Sequence, residues 1–405
     1  MSENAVIVGA GHAAGQVVAS LKQLKFTGDI TLVGEEPWYP YQRPPLSKKF
    51  LAGELTAERL YVKPEKFYAT ANVAVLLNTR VEAIDRAAKT VATNTGKILP
   101  YDTLVLALGA KPRQVDLPGA SLEGVCYLRT IADVDKLRSQ LRNGCKLTII
   151  GAGYIGLEVA AVASKLGARV TVVEILERVM SRVVSPQISA FYDAEHRRHG
   201  VDLMLNTKII RFCGDGHITS VELENGDQIE TDLVLVGIGV IPNTELATAA
   251  DLAVDNGIVV DDHCRTSDPA IYSVGDCTLH PNALLGRDLR LESVHNALEQ
   301  AKTAASNICG IDRHYAQIPW FWSDQYDLKL QIAGLSSGYD QVVIRGDMAS
   351  RSFACLYLRG HILIAVDAVN NPRDFVQAKT LIADNAIIDP DILANTEIAL
   401  KDMTY

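Results

Sequence analysis

The sequence predicts an α/β fold, two parallel-sheet units of the βαβ type followed by a smaller α+β domain. Three observations predict it. The glycine-rich turn Gly9-Ala10-Gly11-His12-Ala13-Ala14 follows an apolar strand and opens an apolar-periodic helix. A full G-x-G-x-x-G, Gly151-Ala152-Gly153-Tyr154-Ile155-Gly156, does the same near the middle of the chain. From Trp320 onward the pattern changes to short alternating runs before one more helix. The 405 residues, 48% hydrophobic and 21% charged, suit two or three globular domains at roughly 150 residues each.

The elements follow in order. Ala5-Val6-Ile7-Val8 is a β-branched strand, and Val17, Val18, Leu21 and Leu24 give the helix behind it an apolar face. A second strand, Ile30-Thr31-Leu32-Val33, ends at Gly34-Glu35. Lys146-Leu147-Thr148-Ile149-Ile150 precedes the second turn; a helix over 157–166 and the strand Val170-Thr171-Val172-Val173, ending at Glu174, complete that unit. Two further apolar strands look alike. Leu104-Val105-Leu106-Ala107-Leu108-Gly109 leads to Lys111-Pro112-Arg113, and Leu233-Val234-Leu235-Val236-Gly237-Ile238-Gly239 to Val240-Ile241-Pro242. Each marks a crossing between nucleotide-binding units, where Gly and Pro suit a reversal of direction. The last region reads as strands at 329–333, 341–345, 354–359 and 362–367, with a helix near 375–385.

Both turns have a physical reason. The first glycine permits the tight turn, the second lets the main chain approach a pyrophosphate, and the small third residue (Ala14 or Gly156) lets helix pack on strand. The helix N-terminus faces the diphosphate with its positive dipole end. Glu35 and Glu174 stand where a carboxylate meets an adenosine ribose. Two fingerprints imply two dinucleotides and electron transfer between them, the usual pair being a tightly held flavin and an exchangeable nicotinamide. At Glu174 a carboxylate accepts from a free 2′-hydroxyl and repels a 2′-phosphate, which predicts NADH over NADPH; Arg178 is the one nearby phosphate acceptor to weigh against it. Glu158 suits either the nicotinamide mouth or a first-turn carboxylate on the helix dipole. Val274-Gly275-Asp276 delivers a carboxylate at a strand end, where it serves as a turn former or binds ribityl hydroxyls.

Composition narrows the function further. With 39 Lys and Arg against 48 Asp and Glu, the net charge of −9 argues against nucleic acid or an anionic membrane as main partner. No run approaches the roughly 20 apolar residues of a membrane span, and the N-terminus has no basic n-region or cleavage site. The seven cysteines are widely spaced with no C-x-x-C pair, as in reduced cytoplasmic proteins. No metal site is expected. His196 and His199 read as a solvated helix end among arginines, His12 as a partly exposed helix start, and His263 as scattered from Cys264 and Cys277.

The motifs GAGHAAG, YQRPPLSK, GAGYIGLE, GIGVIPN, SVGDC, ESVHNALEQA and PWFWSDQYDLKLQIAG run through essentially the whole chain. The chain resembles the oxygenase-coupled NADH-dependent ferredoxin reductases, FAD-dependent members of the pyridine nucleotide-disulfide oxidoreductase superfamily. The resemblance implies a glutathione-reductase-like fold: a discontinuous FAD-binding domain (residues 1–110 and 240–320), an NAD-binding domain (111–239) and a C-terminal α+β domain (321–405) covering the flavin. It implies FAD contacts at Ala13, Glu35, Lys48, Val81, Arg129, Asp276 and Val294, with Arg43, Ala107 and Gly239 as further cofactor-binding candidates. Lys48 would sit beside the flavin near its N5, Glu158 would face the nicotinamide, and Trp322 would lie at the dimethylbenzene edge or rear face near a docked ferredoxin. Lys48 otherwise reads as a surface lysine at a helix start with Ser47 as cap.

Disulfide reductases of the superfamily carry a cysteine pair after the first nucleotide motif. Here that region reads WYPYQRPPLSK, so relay to a disulfide substrate is excluded. The reaction implied is hydride transfer from NADH followed by single-electron transfers to a [2Fe–2S] ferredoxin that supplies an oxygenase, with a cytochrome P450 as the expected type. The alternatives are a rubredoxin reductase and a non-catalytic NADH-responsive flavoprotein like the apoptosis-inducing factors. A monomer or weak homodimer is expected. Ferredoxin docking by an acidic chain requires a local basic patch, for which Lys48, Lys49, Arg287, Arg290, Arg313 and Lys329 are the candidates.

Overall fold

The computed structural model describes residues 3–282 and 286–403. The chain divides into two compact units. The first comprises Met1–Arg43, Thr56–Lys111 and Val240–Pro319; the second comprises Pro44–Leu55, Pro112–Gly239 and Trp320–Tyr405. The segment Pro44–Leu55 therefore clusters with the second unit, although it falls inside the stretch that sequence gives to FAD binding.

In the first unit, five parallel strands lie in the order Ile271–Ser273, Thr103–Leu106, Asn4–Val8, Asp29–Val33, Val73–Leu76. Their side chains are buried on both faces, as a helix-covered parallel sheet requires; Ile7, Leu32, Leu104, Val105 and Leu106 are all fully buried. Helix His12–Gln23 packs on this sheet through Ala14, Val17, Val18 and Leu21, and helix Val294–Ile308 packs against it through Ala297, Ala301, Ala304 and Ala305. Small residues along the second helix let the two helices approach closely. This brings the start of each helix toward the strand ends that carry the first glycine turn.

The second unit repeats the plan. Its parallel strands run Asp202–Met204, Arg169–Val173, Lys146–Ile150, Leu233–Val236, Val125–Cys126, with helix Tyr154–Lys165 after the second glycine turn. The same unit contains an antiparallel sheet in the order Trp320–Gln325, Leu328–Gly334, Ile362–Val369, Ser352–Arg359, Gln341–Asp347, covered by helix Pro372–Ala383. Its two central strands are almost wholly buried, with Phe353, Tyr357, Val366 and Val369 at 0% exposure. The four alternating runs and the helix anticipated after Trp320 are these elements.

Candidate functional site

In the first unit the glycine turn is fixed by sterics. Gly9 has φ +110°, and a Cβ there would come 2.2 Å from the Ala107 carbonyl oxygen. Gly11 has open space where its Cβ would point. Gly275, at φ +89°, lies so near the first helix that a Cβ there would meet the Ala13 Cβ at 3.4 Å. The first unit thus gathers Gly9, Gly11, Ala13, Ala107 and Gly275-Asp276, while Val294 opens the neighbouring helix behind its cap, Ser293. Val81 is buried at the start of a strand, Val81–Asp85.

Arg43 donates to Tyr41 Oη at 3.0 Å and to Glu36 Oε1 at 2.9 Å. Burial opposes its charge, but Tyr41, Glu36 and Asp276 around it hold its pKa above the ordinary value. Glu35 is exposed, with Arg80 at 3.9 Å. Glu36, which sequence reasoning passed over, is the half-buried carboxylate that anchors Arg43.

In the second unit the corresponding turn repeats the same sterics. Gly151 has φ +100°, and its Cβ would lie 2.6 Å from the Gly237 oxygen. A Cβ on Gly156 would come 2.2 Å from the Gly151 oxygen, while Gly153 faces open space. Tyr154 is half-buried, its phenol raised well above the ordinary value by desolvation, and Ile155 is exposed. Glu174 accepts from Ala152 N at 2.7 Å and Leu176 N at 3.0 Å, which fixes its carboxylate at the strand end beside the turn. Arg178 donates instead to the carbonyls of Val184 and Ser181, so its guanidinium is engaged by its own loop. Arg129 precedes helix Ile131–Gln140 with its amide on Asp133, and Gly239 sits at φ +104° after the strand Leu233–Val236.

Glu158, on the fingerprint helix of the second unit, is 3% exposed. It is no dipole-complementing surface carboxylate. Its Oε2 accepts from Lys48 Nζ at 2.7 Å and Ser47 Oγ at 2.5 Å, and its Oε1 accepts from Ser323 Oγ at 2.7 Å. Ser47 therefore caps no helix, because its hydroxyl is turned onto Glu158 at the end of the 3-10 turn Pro44–Ser47. Lys48 is no free surface lysine, since it also donates to the Pro44 carbonyl at 3.1 Å. Trp322 lies on strand Trp320–Gln325 with its ring 5.4 Å from Trp320, while Phe321, one residue over, packs 4.8 Å from Tyr154.

Several expectations are corrected. His196 is not solvated: it is fully buried, with Nε2 on Gln325 Oε1 at 2.9 Å and Nδ1 on Tyr326 Oη at 3.0 Å. His199, by contrast, is exposed as expected at this helix end, with one ring face stacked on Tyr326 at 3.7 Å. The helix carries its polar face inward here because strand Trp320–Gln325 supplies polar partners. His263 is not scattered either. It contacts Asp262 at 2.7 Å and Asp312 at 2.8 Å, and His314 joins it, the donor atoms of Asp262, His263 and His314 lying within 4.8 Å of one another. Among the docking candidates, Arg290 pairs with Glu292 and Arg313 with Glu299.

The two glycine turns fit dinucleotides on an independent observation. Among the described residues, six helices run ten residues or more. Thr130, Ser185, Ser293 and Asn371 cap four of them with side-chain oxygens. The other two begin at Gly11 and Gly153 with no side-chain cap, which leaves their first N–H groups directed at the space above the glycines.

Two nucleotide-binding βαβ units with uncapped helix starts define a pyridine-nucleotide flavoprotein oxidoreductase. The chain belongs to the pyridine nucleotide-disulphide oxidoreductase family, whose model matches residues 3–301, and a reductase C-terminal domain matches 320–404. As a member of this group it uses FAD and NADH. It is 43% identical to the 5,5'-dehydrodivanillate O-demethylase ferredoxin reductase subunit of Sphingobium sp. (strain NBRC 103272 / SYK-6), covering 98% of each chain. It is 43% identical to putidaredoxin reductase CamA of Pseudomonas putida, covering 99% of this chain and 97% of that one. The solved ferredoxin reductase for the CYP199A2 system from Rhodopseudomonas palustris superposes with a TM-score of 0.96 at 41% identity, covering 99% of each chain. All seven cysteines are free thiols. No helix among the described residues is long and apolar enough to cross a membrane.

Proposed function

We propose that the chain oxidises NADH and reduces a [2Fe–2S] ferredoxin that supplies an oxygenase. The two uncapped glycine turns in a chain without paired cysteines carry this reading, because electrons from a nicotinamide have a flavin to enter and no dithiol by which to leave. The names of the similar reductases support it. FAD, when bound, accepts a hydride and releases electrons one at a time.

The protein's part is binding and electrostatics. Gly9, Gly11, Ala13, Ala14, Glu35, Lys48, Val81, Arg129, Asp276, Val294 and Trp322 are assigned to the flavin, and Arg43, Ala107 and Gly239 are further cofactor-binding residues. Gly151, Gly153, Tyr154, Ile155, Gly156 and Glu174 serve NADH. On this reading residues 1–110 and 240–320 form the FAD-binding domain, 111–239 the NAD-binding domain and 321–405 the C-terminal domain. Lys48 supplies a fixed positive charge where negative charge develops on reduction. Glu158, held by three donors, orients the nicotinamide, and Trp322 lies toward the electron exit.

Turnover with NADH and a [2Fe–2S] ferredoxin, compared with oxidised glutathione and lipoamide, tests the proposal. Rapid multiple turnover with ferredoxin and none with the disulfides is expected. Reduction of a disulfide, or a single turnover with no one-electron acceptor, overturns it; preference for rubredoxin over ferredoxin redirects the partner.

A further inference from the structure

The hydrogen bonds around Glu158 continue beyond its immediate donors, and their polarity is fixed. Ser323 Oγ donates to Glu158 Oε1 at 2.7 Å, because a carboxylate only accepts. Gln325 Nε2 donates to Ser323 Oγ at 3.1 Å, which leaves Gln325 Oε1 to accept from His196 Nε2 at 2.9 Å. His196 then carries its proton on Nε2, so Nδ1 accepts from Tyr326 Oη at 3.0 Å. Every donor from Tyr326 inward points toward Glu158, and Ser323, Gln325 and His196 are fully buried. In a run of this kind each bond polarises the next.

The fold keeps the array in place at some conformational cost. Ser323 and Gln325 lie on one face of strand Trp320–Gln325 by its two-residue period. Tyr326 follows at φ +57°, a left-handed conformation unusual for a bulky residue, and this turn aims its hydroxyl at His196. Arg351 ties the hairpin to the helix of His196, bridging Asp327 at 2.6 Å and Glu195 at 3.2 Å. The stack of His199 on Tyr326 closes the outer end. Burial keeps His196 neutral over the working range by lowering its pKa to about 4.

We propose that Tyr326, His196, Gln325 and Ser323 form a one-directional array that fixes the Glu158 carboxylate for the nicotinamide, which makes His196 and Tyr326 positioning residues for NADH. This rests on the reading that Glu158 orients the nicotinamide. The array defines which oxygen of Glu158 is already satisfied and which faces Lys48. Loss of an outer member therefore loosens the carboxylate without touching substrate.

The test uses the FAD-loaded enzyme and four variants. His196→Phe leaves the Gln325 amide oxygen without its donor; Tyr326→Phe removes only the outer hydroxyl; His196→Gln restores a donor and an acceptor; Glu158→Gln checks the underlying reading. His196→Phe is expected to raise both the dissociation constant for NAD+, by calorimetry, and KM for NADH about tenfold, the scale of one unsatisfied buried polar group. Tyr326→Phe is expected to raise both about threefold, with KM for ferredoxin unchanged throughout and His196→Gln recovering most of the loss. In 15N-histidine spectra the wild-type ring should be the neutral Nε2–H tautomer. Nicotinamide binding that responds to Glu158→Gln but to neither Tyr326→Phe nor His196→Phe overturns the array. No response to Glu158→Gln overturns the reading beneath it. An Nδ1–H tautomer or an imidazolium at neutral pH refutes the assigned polarity even if His196→Phe fails to fold.

Discussion

The Lys48–Glu158 pair permits a quantitative prediction. Their charged atoms lie 2.7 Å apart, with side chains 15% and 4% exposed. Removing one member of a buried pair typically destabilises by about 3–5 kcal/mol, because the other charge is left uncompensated. The two positions are unequal. In Lys48→Met the Glu158 carboxylate keeps two hydroxyl donors, Ser47 and Ser323, so about 2–3 kcal/mol is expected. In Glu158→Leu the Lys48 ammonium keeps the Pro44 carbonyl and some water, but Ser47 and Ser323 lose their acceptor, which again gives about 2–3 kcal/mol. The double variant removes both charges and should lose less than the sum, with a coupling energy of about 2 kcal/mol. Urea unfolding of the wild type, both singles and the double measures this at pH 7. Additive losses, within about 0.5 kcal/mol, would show that the pair does not interact as its geometry requires.

Other outcomes follow from the same structure. His196 titrates near 6.5 when unfolded and about 4 when folded, so the unfolded chain takes up the proton first. Stability should fall by roughly 3 kcal/mol as pH drops from 6.5 to 4, a loss that His196→Gln abolishes in unfolding curves. Asp367, buried against the Tyr357 hydroxyl, is pushed up to about 7. Its slope has the opposite sign, stability decreasing as pH rises from 3.8 to 7, and Asp367→Asn should remove it. Gly9→Ala should yield protein without flavin absorbance, and Gly151→Ala a flavoprotein that no longer responds to NADH, since each added Cβ meets a carbonyl oxygen. Glu174→Ala should raise KM for NADH and narrow the preference over NADPH to within about tenfold, read by steady-state kinetics.

The parts legible in the sequence are those written in local spacing. Both glycine turns, their flanking strands and their helices depend on contacts within one βαβ unit, and the apolar periods declare them. The surroundings of Glu158 were not legible, because its partners Ser47 and Ser323 lie 111 and 165 residues away. Ser47 beside two prolines looks like a cap until the fold turns it onto a buried carboxylate. His196, between Glu195 and Arg197, looks solvated because its polar partner Gln325 lies 129 residues later in the chain. One signal was available: in Trp320-Phe321-Trp322-Ser323-Asp324-Gln325 the two-residue period puts Ser323 and Gln325 on a single face, and two buried polar side chains there require polar partners. The exposed Glu35 and the engaged Glu36 show the same limit, since adjacent carboxylates are separated only by where Arg43 falls.

Anaerobic titration of the purified, FAD-loaded enzyme with NADH, with NADPH in parallel, tests the central claim most directly. Complete bleaching of the flavin absorption at one equivalent of NADH, with little change from NADPH, is the predicted result. A requirement for two equivalents would reveal a second two-electron centre, and a flavin that NADH does not reduce would contradict the account.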